Sequence, residues 1–144
     1  MITYHINENL TFEEYYNFLR RTDLGSQYPM QRFEERIKKL LKNRSIAITA
    51  RNNENLLIGV CFGLTDFTYF LFLTDLGVDR AYEKRGIGNE LVERIQKESG
   101  GEDDICVITL SHENAIDFYK KCGYKTGSDL LWKPCKVWKN FKVT

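Results

Sequence analysis

The segment Leu76-Gly77-Val78-Asp79-Arg80-Ala81-Tyr82-Glu83-Lys84-Arg85-Gly86-Ile87-Gly88 constrains the fold of this chain more than any other. An extended, largely apolar run from Thr68 to Leu76 leads into a short basic turn with two glycines. A helical pattern begins at once, with Ile87, Leu91, Val92 and Ile95 on one side. Such a turn can aim several backbone N–H groups, together with the positive end of a helix, at an anion. Glycine at positions 86 and 88 lets a phosphate approach the main chain closely.

The remaining elements follow from periodicity and turn chemistry. Ile2 to Ile6 alternates as a first strand. Thr11-Phe12-Glu13-Glu14 has capping-box spacing, with Glu14 reaching back, and Phe12, Tyr15, Tyr16 and Leu19 share a helical face that stops near Asp23-Leu24-Gly25. A second helix is expected from about Gln31, with Phe33, Ile37, Leu40 and Leu41 as its stripe. Lys38, Lys39, Lys42 and Arg44 suit its negative end and read as a solvated face. Ile46 to Ala50 and Leu56 to Gly63 form a hairpin around a polar turn, and Thr68 to Leu76 reads as a central strand covered on both faces. The helix after Gly86 ends at Gly100-Gly101. Ile105 to Leu110 is a further buried strand, and Ser111 caps a short helix with Ala115, Phe118, Tyr119 and Cys122 inward. Two short strands follow, around Tyr124-Lys125-Thr126 and Leu130 to Lys133, and Val137 to Val143 extends an edge. The order β-α-α-β-β-β-α-β-α-β-β implies a mixed sheet with helices on both sides.

Composition narrows the function classes. The 144 residues suffice for one full core, so residues 1–144 are expected to form a single domain. Twenty-one basic against 20 acidic residues leave a net charge of +1, which argues against a dedicated nucleic-acid binder. No CxxC pair occurs among the four cysteines and there are only two histidines, so no metal site is expected. Cys61 and Cys106 sit in apolar runs and read as buried thiols of a reducing, cytoplasmic compartment. The N-terminus has no leader pattern, and the longest apolar patch, Phe70 to Leu73, is far short of the roughly 20 residues of a membrane span.

Two motifs carry a family resemblance. Glu83-Lys84-Arg85-Gly86-Ile87-Gly88 is similar to the acyl-CoA pyrophosphate motif Gln/Arg-x-x-Gly-x-Gly/Ala, with Glu83 departing from its first position. Ala115-Ile116-Asp117-Phe118-Tyr119-Lys120-Lys121-Cys122-Gly123-Tyr124 is similar to Ala-x-x-Phe-Tyr-x-x-x-Gly-Phe, with Tyr124 as the final aromatic. The place where many relatives carry asparagine is His112, with Asn114 nearby. Both motifs stand in the right order and structural context, and the chain resembles the Gcn5-related N-acetyltransferase (GNAT) superfamily over nearly its full length.

The resemblance implies an α/β (α+β) GNAT fold: a mixed, mostly antiparallel central sheet of six or seven strands, splayed between strands 4 and 5 and flanked by about four helices. It implies acetyl-CoA as acetyl donor, no metal, and a primary amine of a small molecule, amino acid or peptide as acceptor. No nucleic acid or membrane partner is implied, and a homodimer is a form many relatives take. On the cofactor side it implies backbone contacts at Lys84, Arg85, Gly86, Ile87, Gly88 and Asn89, strand-like pairing of Leu76 and Val78 with pantetheine, and lining by Asn114, Phe118, Tyr119 and Lys121.

For the chemistry, Tyr119 is the candidate general acid. A phenol of reference pKa about 10 stays protonated beside a thiol of about 8.5. The opposing account is a core tyrosine with its hydroxyl satisfied. Asp75 is the candidate base or amine orienter, set against a plain structural role; His112 and water are the alternatives. Strict alternation puts Asp75 and Gly77 opposite Leu76 and Val78, unless a bulge resets the register. Asp23, Gln27, Tyr28, Tyr69, Asp75 and Trp132 are the acceptor-pocket candidates, with Asp23 and Asp75 together favouring a cationic amine. Each can equally be ordinary packing. A non-catalytic acyl-CoA-binding module is the alternative to an enzyme.

Overall fold

The computed structural model describes residues 1–141, 143 and 144. Five strands form one sheet: β1 (Thr3–Ile6), β2 (Ile46–Arg51), β3 (Leu57–Thr65), β4 (Phe70–Val78) and β5 (Cys106–Thr109), hydrogen-bonded in that order. Neighbours run antiparallel except β4 and β5, which are parallel. Helices α1 (Phe12–Leu19) and α2 (Phe33–Asn43) pack on one face and α3 (Ile87–Ser99) on the other; α4 (Ile116–Lys121) follows β5.

Each face has its own core. Ile87, Leu91, Val92 and Ile95 recur along α3 at helical spacing and meet Ile48, Ile58, Cys61 and Leu71 of the sheet. Tyr15, Phe18 and Leu19 of α1 and Ile37 of α2 meet Ala47, Val60 and Phe62. Fully burying a side chain such as Leu91 contributes about 2 kcal/mol, so α3 is held mainly by this stripe. Gly100 (φ +146°) ends the helix where a β-carbon would collide with Ile105.

Among the described residues the sheet has five strands rather than the six or seven expected. Tyr124-Lys125-Thr126 and Leu130 to Lys133 form no ladder and are exposed apart from half-buried Tyr124. Gly127-Ser128-Asp129 and Pro134 interrupt this stretch, and four-residue β5 offers only a short edge to pair with. The expected C-terminal edge is a single antiparallel bridge, Pro29 with Asn140, which ties the tail to the α1–α2 linker instead of the sheet. Lys142, within that expected segment, lies outside the described residues.

Other expectations also change. Thr11 caps the Glu14 N–H at 3.1 Å, but the Glu14 carboxylate does not turn back: it binds the guanidinium of Arg51 at 2.8 and 3.0 Å. The charge-assisted, bidentate partner wins over the cap. Ser111 does not cap the short helix; its hydroxyl donates to the His112 carbonyl. Cys106 is exposed, because β5 lies at the sheet edge, whereas Cys61 is buried. β4 is covered on both faces only in part, since Phe70 and Phe72 remain 53% and 37% exposed.

Two irregularities of β4 shape the site. Phe62 of β3 is level with Asp75 and Gly63 with Leu73, so Thr74 is an extra residue in β4. Before the bulge, Leu71 and Leu73 face α3; after it, Asp75 and Gly77 face the α1–α2 side while Leu76 and Val78 pack toward α3. The pairing of β4 with β5 also stops at Leu73 and Thr109. From Thr74 to Val78 that edge of β4 carries no ladder among the described residues.

Candidate active site

Glycine and a left-handed turn prepare the segment after β4. Asp79 accepts from the Ala81 N–H at 2.9 Å and pairs with Arg21, which fixes the strand exit. The backbone then turns through positive φ at Lys84 (62°) and Gly86 (80°) before α3 starts. The first intrahelical bond is donated by Glu90 to the Gly86 carbonyl, at 3.0 Å. Among the described residues the amides from Lys84 to Asn89 donate to no protein group. Six main-chain donors at a helix N-terminus, flanked by exposed Lys84 and Arg85, can hold a doubly charged phosphate chain. Arg85 lies over the Tyr82 ring, 5.0 Å from its centroid. Glu83 is exposed, so its charge is left in solvent beside the turn.

The second motif docks against this turn. A β-carbon on Gly88 would stand 3.2 Å from two ring carbons of Phe118. Phe118 meets Tyr119 edge to face at 5.1 Å, and Cys122 donates its thiol hydrogen to Asn89 Oδ1 at 3.2 Å. Asn114 and Lys121 are exposed on this side. Leu76 and Val78, both half-buried, complete the wall where the β4 edge is open.

Tyr119 stands where β4 and β5 part. Thr109, the last residue of β5, bonds the Leu73 carbonyl at 3.2 Å and interacts with the Tyr119 hydroxyl. Burial pushes the phenol up to about 12, with nearby Cys61 adding to the effect and Thr109 holding it back. Tyr119 therefore stays protonated at any ordinary pH.

Asp75 lies on the opposite side of β4. It is 5% exposed, and burial raises its pKa to about 7, the hydroxyls of Tyr28 and Thr74 pulling partly the other way. Tyr28 and Tyr15 share a hydrogen bond of 2.6 Å, and burial lifts both phenols well above their usual value. A half-titrated carboxyl at neutral pH, at the end of a pair of protonated phenols, can accept a proton.

Asp75 forms part of the wall of a cavity of about 940 Å³ between α2, the α1–α2 linker, β4 and the tail. Gln27, Tyr28 and Trp132 line it as expected. Asp23 and Tyr69 do not. Asp23 is turned to solvent and paired with Arg80 at 2.9 Å, and Tyr69, at the entry to β4, is 67% exposed. His112 also lines the cavity. So do Arg36 and Arg44, which sequence reasoning missed; the signal for Arg36 is the spacing Phe33, Arg36, Ile37, Leu40, one face of a helix, and Arg44 follows directly after that helix. No group of three or more potential metal-binding side chains occurs among the described residues, and no helix there is long and apolar enough to cross a membrane.

Solved structures share this architecture. A Staphylococcus aureus protein described as a probable acetyltransferase superposes with a TM-score of 0.75 at 21% identity, over 95% of this chain and 100% of that one. A GNAT-family acetyltransferase of Streptococcus pneumoniae gives 0.67 at 18% identity, over 93% and 98%. An aminoglycoside N-acetyltransferase solved in complex with CoA gives 0.67 at 11%, over 95% and 96%. At these identities the likeness establishes the fold alone. No curated protein sequence matches the chain. The family model of the acetyltransferase (GNAT) domain matches residues 43–126, from the end of α2 through both glycine and aromatic motifs. On that match, over more than half its length, the chain belongs to the GNAT acetyltransferases.

Proposed function

We propose that this acetyltransferase moves the acetyl group of acetyl-CoA directly to a primary amine held in the Asp75 cavity. The observation that carries the reading is a continuity. The row of undonated amides at Lys84–Asn89 leads along the open edge of β4 to the point where Tyr119 and Asp75 flank the strand from opposite sides.

The amides and the Lys84 and Arg85 side chains would hold the diphosphate, and the open edge at Leu76 and Val78 would pair with the amide-rich arm. Asn114, Phe118 and Lys121 would line the same arm. When bound, acetyl-CoA supplies an activated thioester. The acceptor nitrogen forms a C–N bond with its carbonyl carbon while the C–S bond breaks. Asp75 takes the proton released from nitrogen, directly or through water, and Tyr119 donates one to the departing sulfur. Gln27, Tyr28 and Trp132 would position the acceptor, with Asp75 orienting its amine.

Direct transfer is favoured over an acetyl-cysteine. Cys122 is the thiol nearest the turn, but burial and Glu93 push its pKa up and it donates to Asn89, so the thiolate is scarce. The test pairs calorimetry of CoA binding with a free-thiol assay across amines, amino acids and short peptides. CoA binding with thiol release on an acceptor is expected. Binding with no turnover on any amine would make the domain a CoA-binding module, and absence of binding would remove the assignment.

A further inference from the structure

Helix α2 breaks the pattern expected of a helix packed on a sheet. Among its outward basic residues Lys38 pairs with Glu34 and Lys39 with Glu35, each at 3.2 Å, and Arg32 at its start pairs with Glu35 at 3.8 Å, while Lys42 is exposed to solvent. Its inward face runs Phe33, Arg36, Ile37, Leu40, with Arg44 directly after its last residue, and ordinary patterning would make the four helical positions apolar. Arg36 is half-buried against the cavity and, among the described residues, has no carboxylate within 4.0 Å. Arg44 donates to the carbonyls of Leu41 and Glu8 and lies 4.8 Å from the Phe62 ring centroid, likewise without a carboxylate partner. Phe62 is the cross-strand neighbour of Asp75.

The cavity's charges are therefore lopsided. Arg36, Arg44 and Lys133 line it against one acidic side chain, Asp75; the remaining wall is mostly apolar and includes Phe33, Phe72, Trp132 and Trp138. Two carbonyls and the Phe62 ring meet Arg44 in part, but desolvating guanidinium groups without a counter-charge is costly, and the planar fork of arginine suits carboxylate and phosphate oxygens. A purely cationic acceptor would meet repulsion there.

We infer that the acceptor is an amine with an apolar, ring-sized body that also bears an anionic group, carboxylate or phosphate, received by the Arg36–Arg44 wall while its nitrogen lies toward Asp75. Large apolar amino acids are the simplest members of this class. The inference rests on the acetyltransferase reading above and deepens it.

The probes are L-phenylalanine, its phosphonate analogue and 2-phenylethylamine, which share a body and differ in the anion. The anionic amines should exceed phenylethylamine in kcat/KM by at least about tenfold, and the order of the two anions tells which source the wall prefers. Arg36→Gln should collapse that ratio toward one through KM of the anionic amines, and Arg36→Lys should restore part of it. Calorimetry with N-acetylphenylalanine against N-acetylphenylethylamine reads the same preference without turnover. No preference for the anion in both measurements, or binding of none of these compounds, overturns the inference; if CoA still binds and thiol is released on another amine, the acetyltransferase reading stands. Loss of CoA binding would instead sink that reading itself.

Discussion

Gly88 and Phe118 touch across the mouth of the Lys84–Asn89 turn, so closely that a methyl group on Gly88 would press on the phenyl ring at 3.2 Å. One residue comes from the start of α3 and the other from α4, so the contact couples the turn to the short helix that carries Tyr119. Gly88→Val should cost about 1–3 kcal/mol in urea unfolding, the usual range for overpacking. It should also weaken CoA binding by calorimetry, because α4 must move.

Gly86 fails for a different reason. Nothing lies within 4 Å of its missing β-carbon, but its φ of +80° is strained for any other L-residue. Gly86→Ala should destabilise by about 1–2 kcal/mol without any steric clash. Equal stability for wild type and variant in the same assay would refute the conformational argument.

Asp75 makes both stability and rate depend on pH. Its folded pKa, about 7, lies above the unfolded value near 3.8, so the folded state binds more protons between them. The stability associated with the neutral carboxyl is complete below about pH 4, declines as pH rises to about 7 and is level beyond that. Asp75→Asn should therefore match or trail wild type at pH 4 and exceed it by roughly 2–4 kcal/mol at pH 8, measured by urea unfolding at each pH. If Asp75 receives the amine proton, wild-type kcat/KM gains a rising limb near pH 7 that the variant lacks.

Tyr119 should be separable from binding. In Tyr119→Phe the ring contacts with Phe118 and Tyr124 remain, so KM for acetyl-CoA should stay within about twofold while kcat falls by up to about 10²-fold. Solvent can still protonate the sulfur, which limits the loss. With the phenol at about 12, the deficit should be constant from pH 7 to 10 in a steady-state assay.

Arg51 is a structural counterpart. Its side chain, 7% exposed, binds Glu8 at 3.0 Å and Glu14 at 2.8 Å and joins β2 to α1. Arg51→Met leaves two carboxylates facing each other in a half-buried space and should cost about 3 kcal/mol in urea unfolding.

Local signals were the ones the chain displayed openly. Gly86 and Gly100 bracket α3 by conformation alone, and the stripe Ile87, Leu91, Val92, Ile95 needs only helical periodicity. What depended on tertiary partners was hidden. Glu14 follows capping-box spacing yet answers to Arg51, distant in sequence. Leu130 to Lys133 has strand composition, but a strand exists only where an edge receives it. Arg44 resembled a solvated charge at a helix end until Phe62 supplied a surface for it. Asp75 was legible as a candidate carboxylate; its neighbours Tyr15 and Tyr28 were not visible as a pair, since a loop and a helix bring them together.

The supernumerary Thr74 acts as a parity switch for everything downstream in its strand. Were Thr74 taken into the regular alternation instead of bulging, Leu76 would be offered to the Asp75 cavity and a carboxyl group thrust among the aliphatic side chains of α3. The bulge is thus a more stringent requirement than the residue that fills it: a lineage can exchange the threonine for another residue, but it cannot straighten the strand around that extra position and keep both its interior and its chemistry.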